Sequence, residues 1–396
     1  MVGRAVAAPL DGIRVVDLGQ MITGPLAARL LADMGASVIK IENPDGGDLF
    51  RAFRGGRYGG SFISYNRNKR SLTLNLRHAE GRAIALKLIA QADVLLDNFR
   101  PYVMADLGLD SDTLAAANPQ LIHASITGFG PDGPYAQRPA YDTVGVALSG
   151  MGSLIFDTEN PQVSGPTLAD NVTGMTACQG ILGALHERTR TGRGCRVEVN
   201  MVEAMIAFMP DPYSNYYQTG AAQGLYTRSS VSQSYALRCS DGKLIAVHLS
   251  SPDKFWRGLL RAIERPELGA DPRFTERPDR TKHYRVLRAE LAKSFSQRPL
   301  AEWVARLSVE DVPFAPVYSI DEVERDPQVR HLGTFYEIAH PTQGPQKGIR
   351  PPLRFDGERG PVHSAAPTLG EHTEAVLAEL GIGGQEIARL RAAGVV

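Results

Sequence analysis

The sequence predicts an α/β fold: a Rossmann-like large domain with a mostly parallel sheet, and a smaller α+β domain. Short apolar runs alternate with helical patterns between residues 13 and 126, as parallel strands joined by crossover helices do. A hairpin pattern followed by helical patterns fills residues 235–307. At 396 residues the chain exceeds one ordinary domain, so two are expected.

The elements follow in order. Residues 13–18 (IRVVDL) read as a buried strand. Gly24-Pro25 then leads into LAARLLADMG, with Pro25 near the first helical position and Gly35 at its C-terminal cap. Residues 37–42 (SVIKIE) are the second strand of a right-handed β-α-β unit. The Gly- and Arg-rich residues 45–60 read as a long surface loop. Residues 71–76 (SLTLNL) alternate as a strand, 80–90 as an amphipathic helix and 93–97 (DVLLD) as the next strand. One helix is expected over 104–117 and a strand over 121–126 (LIHASI). Residues 128–139 are turn-rich and 141–151 helical. Residues 202–223 are helical at first, and 215–234 connect with exposed loops. The hairpin 235–249 turns at Ser240-Asp241-Gly242, with helices at 252–263, 284–295 and 300–307. Residues 326–354 look extended and Pro-rich. Thr368 to Glu371 has capping-box spacing before a helix that Gly381 stops.

Composition narrows the function. Apolar residues make up 43% and charged residues 22%, and Lys+Arg equals Asp+Glu at 43 each. Zero net charge argues against nucleic acid as the main partner. Cys178, Cys195 and Cys239 form neither a disulfide framework nor a metal spacing, and no metal site is expected. They fit a reducing cytoplasm. The first residues lack the apolar core of a signal peptide, and no apolar run reaches the roughly 18 residues of a membrane span. The first strand is followed by Gly19 to Gly24 without G-x-G-x-x-G. Glu42 alone, near the position of a ribose-binding acid, is weak support for a dinucleotide.

The most informative stretch is residues 164–201, SGPTLADNVTGMTACQGILGALHERTRTGRGCRVEVNM. Val172, Met175, Cys178, Ile181, Leu182 and Leu185 recur at helical spacing. Gly174, Gly180 and Gly183 cost a helix roughly 0.5–1 kcal/mol each relative to Ala, which calls for a packing or ligand reason. Asp170 sits where the helix begins. One reading makes it an N-cap. The other makes it a carboxylate kept ionised at neutral pH by the helix N-terminus, a nucleophile beside oxyanion donors. The local pattern leaves both open.

Together these segments resemble the class III CoA-transferase family (the CaiB/BaiF type), which includes formyl-CoA and carnitine CoA-transferases and 2-methylacyl-CoA racemases. The resemblance runs nearly end to end. It rests on GIRVVDL, GPLAARLLADMGASVIKIE, NRNKRSLTLNL, ADVLLDNFRP, LADNVTGM, TGRGCRVEVNMVEA, DPRF and LGEHTEAVLAELG, in that order. It implies a Rossmann-like large domain from residues 1–215, a small domain at 235–323, a segment 324–396 returning to the large domain, and two chains interlocked as a homodimer. It implies that Asp170 is the catalytic aspartate. A donor acyl-CoA would pass through an aspartyl anhydride and an aspartyl-CoA thioester to a carboxylic acid acceptor, with CoA as co-substrate and no tightly bound cofactor. The CoA residues implied are Ile22, Thr23, Asn43, Leu74, Asn75, Leu76, Arg77, Asn98, Phe99 and Arg100, at C-terminal strand ends where open α/β sheets bind ligands. Arg77 and Arg100 are phosphate partners by this reading, and solvated surface charges by the plainer one. Tyr141 packs beside the acyl pocket.

The chain departs from the family in places. Asp106 stands where relatives often carry Arg or Lys, and Tyr102 replaces a common Gly; an acid facing CoA phosphates would repel them. Residues 220–235 lack the glycine-rich loop of formyl-CoA transferase, which weighs against oxalate or formate, and family habit points to succinyl-CoA as donor. The alternative function is 2-methylacyl-CoA racemase. Those enzymes carry Gly-His-Asp where this chain has Ala140-Tyr141-Asp142, and a tyrosine with a pKa of about 10 is a poor neutral-pH base beside a histidine at about 6.5. A non-catalytic CoA-binding or interaction protein is the third reading.

Overall fold

The computed structural model describes every residue except 1–7, 54, 55, 57, 251 and 361. The opening seven residues, read above for a signal-peptide core, thus lie outside it. The chain divides into two units. One comprises Met1–Gly152, Val163–Pro210 and Gly333–Val396; the other comprises Ser153–Gln162 and Asp211–Leu332.

The larger unit is built on a parallel six-stranded sheet: β1 (Arg14–Asp17), β2 (Ser37–Glu42), β3 (Lys69–Thr73), β4 (Val94–Asp97), β5 (Ile122–Thr127) and β6 (Arg196–Asn200). Their spatial order is β3-β2-β1-β4-β5-β6, and each neighbouring pair is parallel. The order reverses between β1 and β4.

The inner strands β1 and β4 are largely apolar on both faces because both are covered. Val15, Val38, Val94, Leu96 and Ile122 pack on one side with Ala27 and Leu31 of the helix Thr23–Asp33 and Ala177 and Ile181 of the helix Ala169–Thr191. Val16, Leu72 and Leu95 pack on the other with Ile84 and Leu88. Val376, Leu377, Ile387, Leu390 and Val395 complete that second core. They come from the helices Thr373–Glu379 and Gly384–Ala392 and the residues after them.

The smaller unit carries an antiparallel sheet of β7 (Ser234–Arg238), β8 (Leu244–His248) and β9 (Phe314–Pro316). Tyr235, Leu237, Ile245 and Val247 alternate inward onto Trp256, Leu259, Leu287, Leu291, Phe295 and Trp303.

Several elements differ from expectation. Residues 45–60 are not simply a surface loop: they include a short helix at Leu49–Arg51, and Asp48, Phe50 and Arg51 are buried. The helix expected over 104–117 is two, Val103–Asp106 and Ser111–Ala117, because Asp110 accepts the Thr113 N–H at 2.9 Å and starts a new one. Residues 326–354 begin with a helix, Pro327–Leu332, before β10 (Phe335–His340) and β11 (Gly344–Ile349). Glu371 accepts the Thr368 N–H at 2.7 Å, but the helix beyond starts only at Thr373.

No helix among the described residues is long and apolar enough to cross a membrane. No group of three metal-ligating side chains occurs among them. All three cysteines are free.

Candidate active site

Two clefts open at the C-terminal ends of the strands. The first lies at the reversal between β1 and β4. It is lined by residues 20–23 after β1, Asn98, Phe99 and Arg100 after β4, Gly128 after β5, and Arg138, Tyr141 and Asp170. The second, across β1, is lined by Lys40, Asn43, Asp48, Leu74, Asn75, Leu76 and Arg77; Gln20 and Phe99 line both. Open sheets of this strand order bind ligands at this reversal.

The turn after β1 is held by side chains. Asn98 Oδ1 accepts the Gln20 N–H at 2.8 Å, and its Nδ2 donates to Gln20 O at 2.8 Å and Thr23 Oγ1 at 2.9 Å. Asp48 Oδ1 accepts the Met21 N–H at 3.0 Å, and Met21 sits at φ +61°, a left-handed conformation uncommon for a side chain of its kind.

Beneath the clefts is a buried charge network. Lys40 Nζ lies 2.9 Å from Asp48, Lys69 Nζ lies 2.8 Å from Asp17, and Arg51 pairs at 2.7 Å with both oxygens of Glu42. Burial pushes Lys69 down to about 8 against the pull of Asp17. Burial alone would lower Lys40 too, but Asp48 and Asp17 outweigh it and hold it above the ordinary lysine value. Buried charges persist when paired in this way, and here they tie residues 48–51 to the strand ends. Glu42 is spent on Arg51 and on Ser71 Oγ at 2.7 Å, which leaves no acid for a ribose.

Asp170 is not the N-cap that one sequence reading made it. The helix starts at Ala169, Leu168 holds the cap position, and no side chain of the helix's own start caps it. The cap comes from elsewhere: Asp142 Oδ1 accepts the N–H of Leu168 at 2.7 Å and of Asp170 at 3.2 Å. Asp142 opens the helix Asp142–Leu148, which reaches this end because Gly145 has no side chain. A Cβ there would lie 2.5 Å from Met201 and 2.9 Å from the Ala169 methyl.

Gly174 does the same for the turn after β1, since a Cβ would lie 2.7 Å from Thr23 O. The helix glycines thus have a packing reason at Gly174. Gly180 faces Val197, and Gly183 faces open space.

With Asp142 as cap, the Asp170 carboxyl is left half-buried in the first cleft. Burial, then the neighbouring Asp142 charge, pushes its pKa up to about 7. The helix N-terminus favours the ionised form, while desolvation and a like charge oppose it, so near neutral pH Asp170 is partly ionised. No cation among the described residues pairs with it.

Residues 10–373 match the model of CoA-transferase family III. The chain belongs to CoA-transferase family III. Among its relatives, the acetyl-CoA:oxalate CoA-transferase of Acetobacter aceti is 37% identical over 81% of this chain and 83% of its own. The succinyl-CoA–L-malate CoA-transferase beta subunit of Chloroflexus aurantiacus is 33% identical over 100% of both chains. The crystal structure of a CaiB/BaiF family protein from Brucella suis superposes with TM-score 0.83 at 34% identity, covering 94% of this chain and 99% of that one.

In this family III chain every residue that the sequence assigned to catalysis, CoA or the acyl pocket lines one of the two clefts. Asp170, Tyr141, Ile22, Thr23, Asn98, Phe99 and Arg100 line the first; Asn43, Leu74, Asn75, Leu76, Arg77 and again Phe99 line the second. Their parts differ. Ile22, Thr23 and Leu74 are buried, Asn98 is committed to the Gln20–Thr23 turn, and Asn43 Oδ1 accepts the Asp45 N–H at 3.0 Å. Arg77, Arg100 and Tyr141 are exposed. Asp106 lines neither cleft, although its neighbours Val103 and Leu107 line the second. Gln20, Met21, Gly145 and Arg138 escaped sequence reasoning. Only the run Arg138 to Asp142, polar and aromatic beside a helix start, carried a readable signal.

Proposed function

We propose that this chain moves CoA from an acyl-CoA to a carboxylic acid through Asp170. The observation that carries the reading is an unpaired, half-buried carboxylate at the β1–β4 reversal, poised to ionise near neutral pH. A carboxylate with no cation on it is free to attack a carbonyl carbon.

In the proposed reaction an Asp170 oxygen attacks the thioester carbonyl, and the C–S bond breaks. The products are a mixed anhydride and CoA thiolate. The thiolate then attacks the Asp170 carbonyl carbon, expelling the donor acid and leaving an aspartyl-CoA thioester. The acceptor carboxylate attacks that thioester, releasing thiolate and forming a second anhydride. Thiolate attack on the acceptor's acyl carbon yields the new acyl-CoA and regenerates the Asp170 carboxylate. One thioester is exchanged for another, so the chemistry needs no further cofactor.

CoA is placed along the strand ends, with Arg100 and Arg77 toward its phosphates. Relatives are named for oxalate and for L-malate, which favours a dicarboxylic acid as acceptor and keeps succinyl-CoA a reasonable donor. An interlocked homodimer, which rests on the family resemblance, and a cytoplasmic setting, which rests on the free cysteines, belong to the same proposal; sedimentation of the purified chain checks the first.

The discriminating experiment sets transfer against racemisation. Asp142 already accepts two N–H groups and Tyr141 replaces the racemase histidine, so no second base is apparent beside Asp170. Incubation with a 2-methylacyl-CoA in D₂O is expected to give no α-deuteration, while an added carboxylic acid receives CoA, both read by mass spectrometry. Rapid α-deuteration without an acceptor overturns the transferase reading, and no exchange with any acid revives a non-catalytic role.

A further inference from the structure

We infer that Arg138 recognises the distal carboxylate of a dicarboxylic acid held for reaction at Asp170. The inference deepens the proposed function and rests on it for the identity of the reacting acid. Arg138 lines the same cleft as Asp170, and among the described residues no carboxylate pairs with it.

The guanidinium is nonetheless held in place. It lies 3.9 Å from the centre of the Tyr135 ring, a cation–π contact. Tyr135 in turn meets Phe129 edge-on at 5.8 Å. The Arg138 N–H donates to Tyr135 O at 2.9 Å, and the loop leaves β5 through a Gly130 N–H bond to Thr127 Oγ1 at 3.0 Å. A stacked, unpaired guanidinium has its hydrogen-bonding edge free for a planar anion, which it binds with two parallel N–H bonds.

Position separates Arg138 from the arginine assigned to CoA. Both arginines line the first cleft, but from different sides: Arg100 follows β4, next to Phe99, which also lines the second cleft. Arg138 comes in on the β5 side and runs directly into Tyr141 and Asp142, the residue that caps the Asp170 helix. Charge points the same way. An acid entering the cleft is repelled by Asp170 when that group is ionised, and a monocarboxylic acid has no second anion for Arg138. A dicarboxylic acid with one carboxylate at the aspartyl thioester has its other free to pair with Arg138.

The test compares the full chain with Arg138→Gln and Arg138→Lys, using one monocarboxylic acyl-CoA donor throughout. Oxalate, succinate and malate are set against acetate and propionate as acceptors. Arg138→Gln is expected to lower kcat/KM for the dicarboxylic acids by about 30- to 100-fold, the loss of charge-assisted hydrogen bonds. The monocarboxylic acids and the KM of the donor stay within about twofold, and Lys restores part of the loss. An equal loss with every acceptor together with a raised donor KM overturns the inference and assigns Arg138 to CoA phosphate. No change with any acid overturns it as well. Calorimetric binding of succinate in the presence of CoA gives a readout without turnover. If the wild type transfers CoA to no acid yet binds succinate in an Arg138-dependent way, the proposed function fails, while recognition of the carboxylate by Arg138 stands. If Arg138→Gln binds succinate as tightly as the wild type, the inference fails.

Discussion

Asp142 caps the helix that carries Asp170, with one carboxylate oxygen receiving the N–H groups of Leu168 and Asp170 at 2.7 and 3.2 Å. The arrangement does two things. It satisfies helix N–H groups that would otherwise be unpaired, and it sets a second negative charge beside the proposed nucleophile. An ordinary cap would have consumed the Asp170 carboxylate itself.

The first prediction concerns pH. In the proposed reaction only the ionised Asp170 attacks, so single-turnover acylation by a donor acyl-CoA is expected to fall as pH drops through about 7 and to level off above it. Asp142→Asn keeps an oxygen for both N–H groups but removes the charge. Its midpoint should move to lower pH, while burial still holds it above the ordinary aspartate value. Stopped-flow acylation between about pH 5 and 9 reads this, and an unmoved midpoint would sink the coupling between the two acids. Asp142→Ala should additionally cost about 0.5–2 kcal/mol in a denaturant melt, as cap losses do.

Asp170→Asn should lose turnover and keep the fold. Hydroxylamine added with acyl-CoA should mark Asp170 of the wild type and nothing at this position in the variant, as peptide mapping would record. The sign of the stability change follows from linkage. The folded pKa, about 7, lies above the unfolded value of 3.8, so the folded state binds more protons between them and wild-type stability falls as pH rises through that window. Asn carries no such penalty. The melting temperature of Asp170→Asn should therefore gain on the wild type from about pH 4 to about pH 7 and hold its lead above.

In the proposed placement of CoA, Arg100 meets the shared nucleotide handle and not the acyl group, so Arg100→Ala should raise KM for every acyl-CoA by a similar factor. Asp106→Arg should leave KM within about twofold, because Asp106 lines neither cleft and an exposed charge is screened by salt. Steady-state kinetics with donors of different acyl chains decide both. An unchanged KM in Arg100→Ala would mean that CoA lies elsewhere.

Asn98→Ala should be more damaging than a typical surface change. It removes three hydrogen bonds and leaves the Gln20 N–H and O without their partner, at a cost of about 1–3 kcal/mol for each polar group left buried. Both kcat and the urea midpoint are expected to fall, and a full retention of either would show that the turn holds without its clamp.

Much of this was legible in the chain because it is written in short periods. SVIKIE was read as residues 37–42 and forms Ser37–Glu42, and the helix read as 284–295 forms Tyr284–Phe295. Strand ends mark where an open sheet binds, so the residues chosen there do gather in two clefts. Pairings across long sequence separations were hidden. Asp48 and Arg51 look like loop charges until Lys40 and Glu42 meet them, and the strand read as beginning at residue 71 starts at Lys69 because Asp17 neutralises that lysine. Asp170 looked like a cap because Asp is a good one; nothing within a local window shows that another helix supplies the cap. Gly145 and Gly174 matter only through the backbones that approach them.

The second core of the larger unit has a consequence for how the protein is made. β1 and β4 are among the first elements to leave the ribosome, yet one face of their sheet is closed by Val376, Leu377, Ile387, Leu390 and Val395. The smaller unit's core lies within a chain segment synthesised between these two parts. At roughly 5–20 residues per second, its apolar cluster can assemble while one face of the nascent larger unit's sheet is still only partly covered, by Ile84, Leu88 and their neighbours. Birth order and maturation order are inverted: the half that starts first finishes last. Until then, the part of that face awaiting the C-terminal residues is a natural client surface for chaperones, and a ribosome that stalls late leaves the site-bearing sheet incompletely covered.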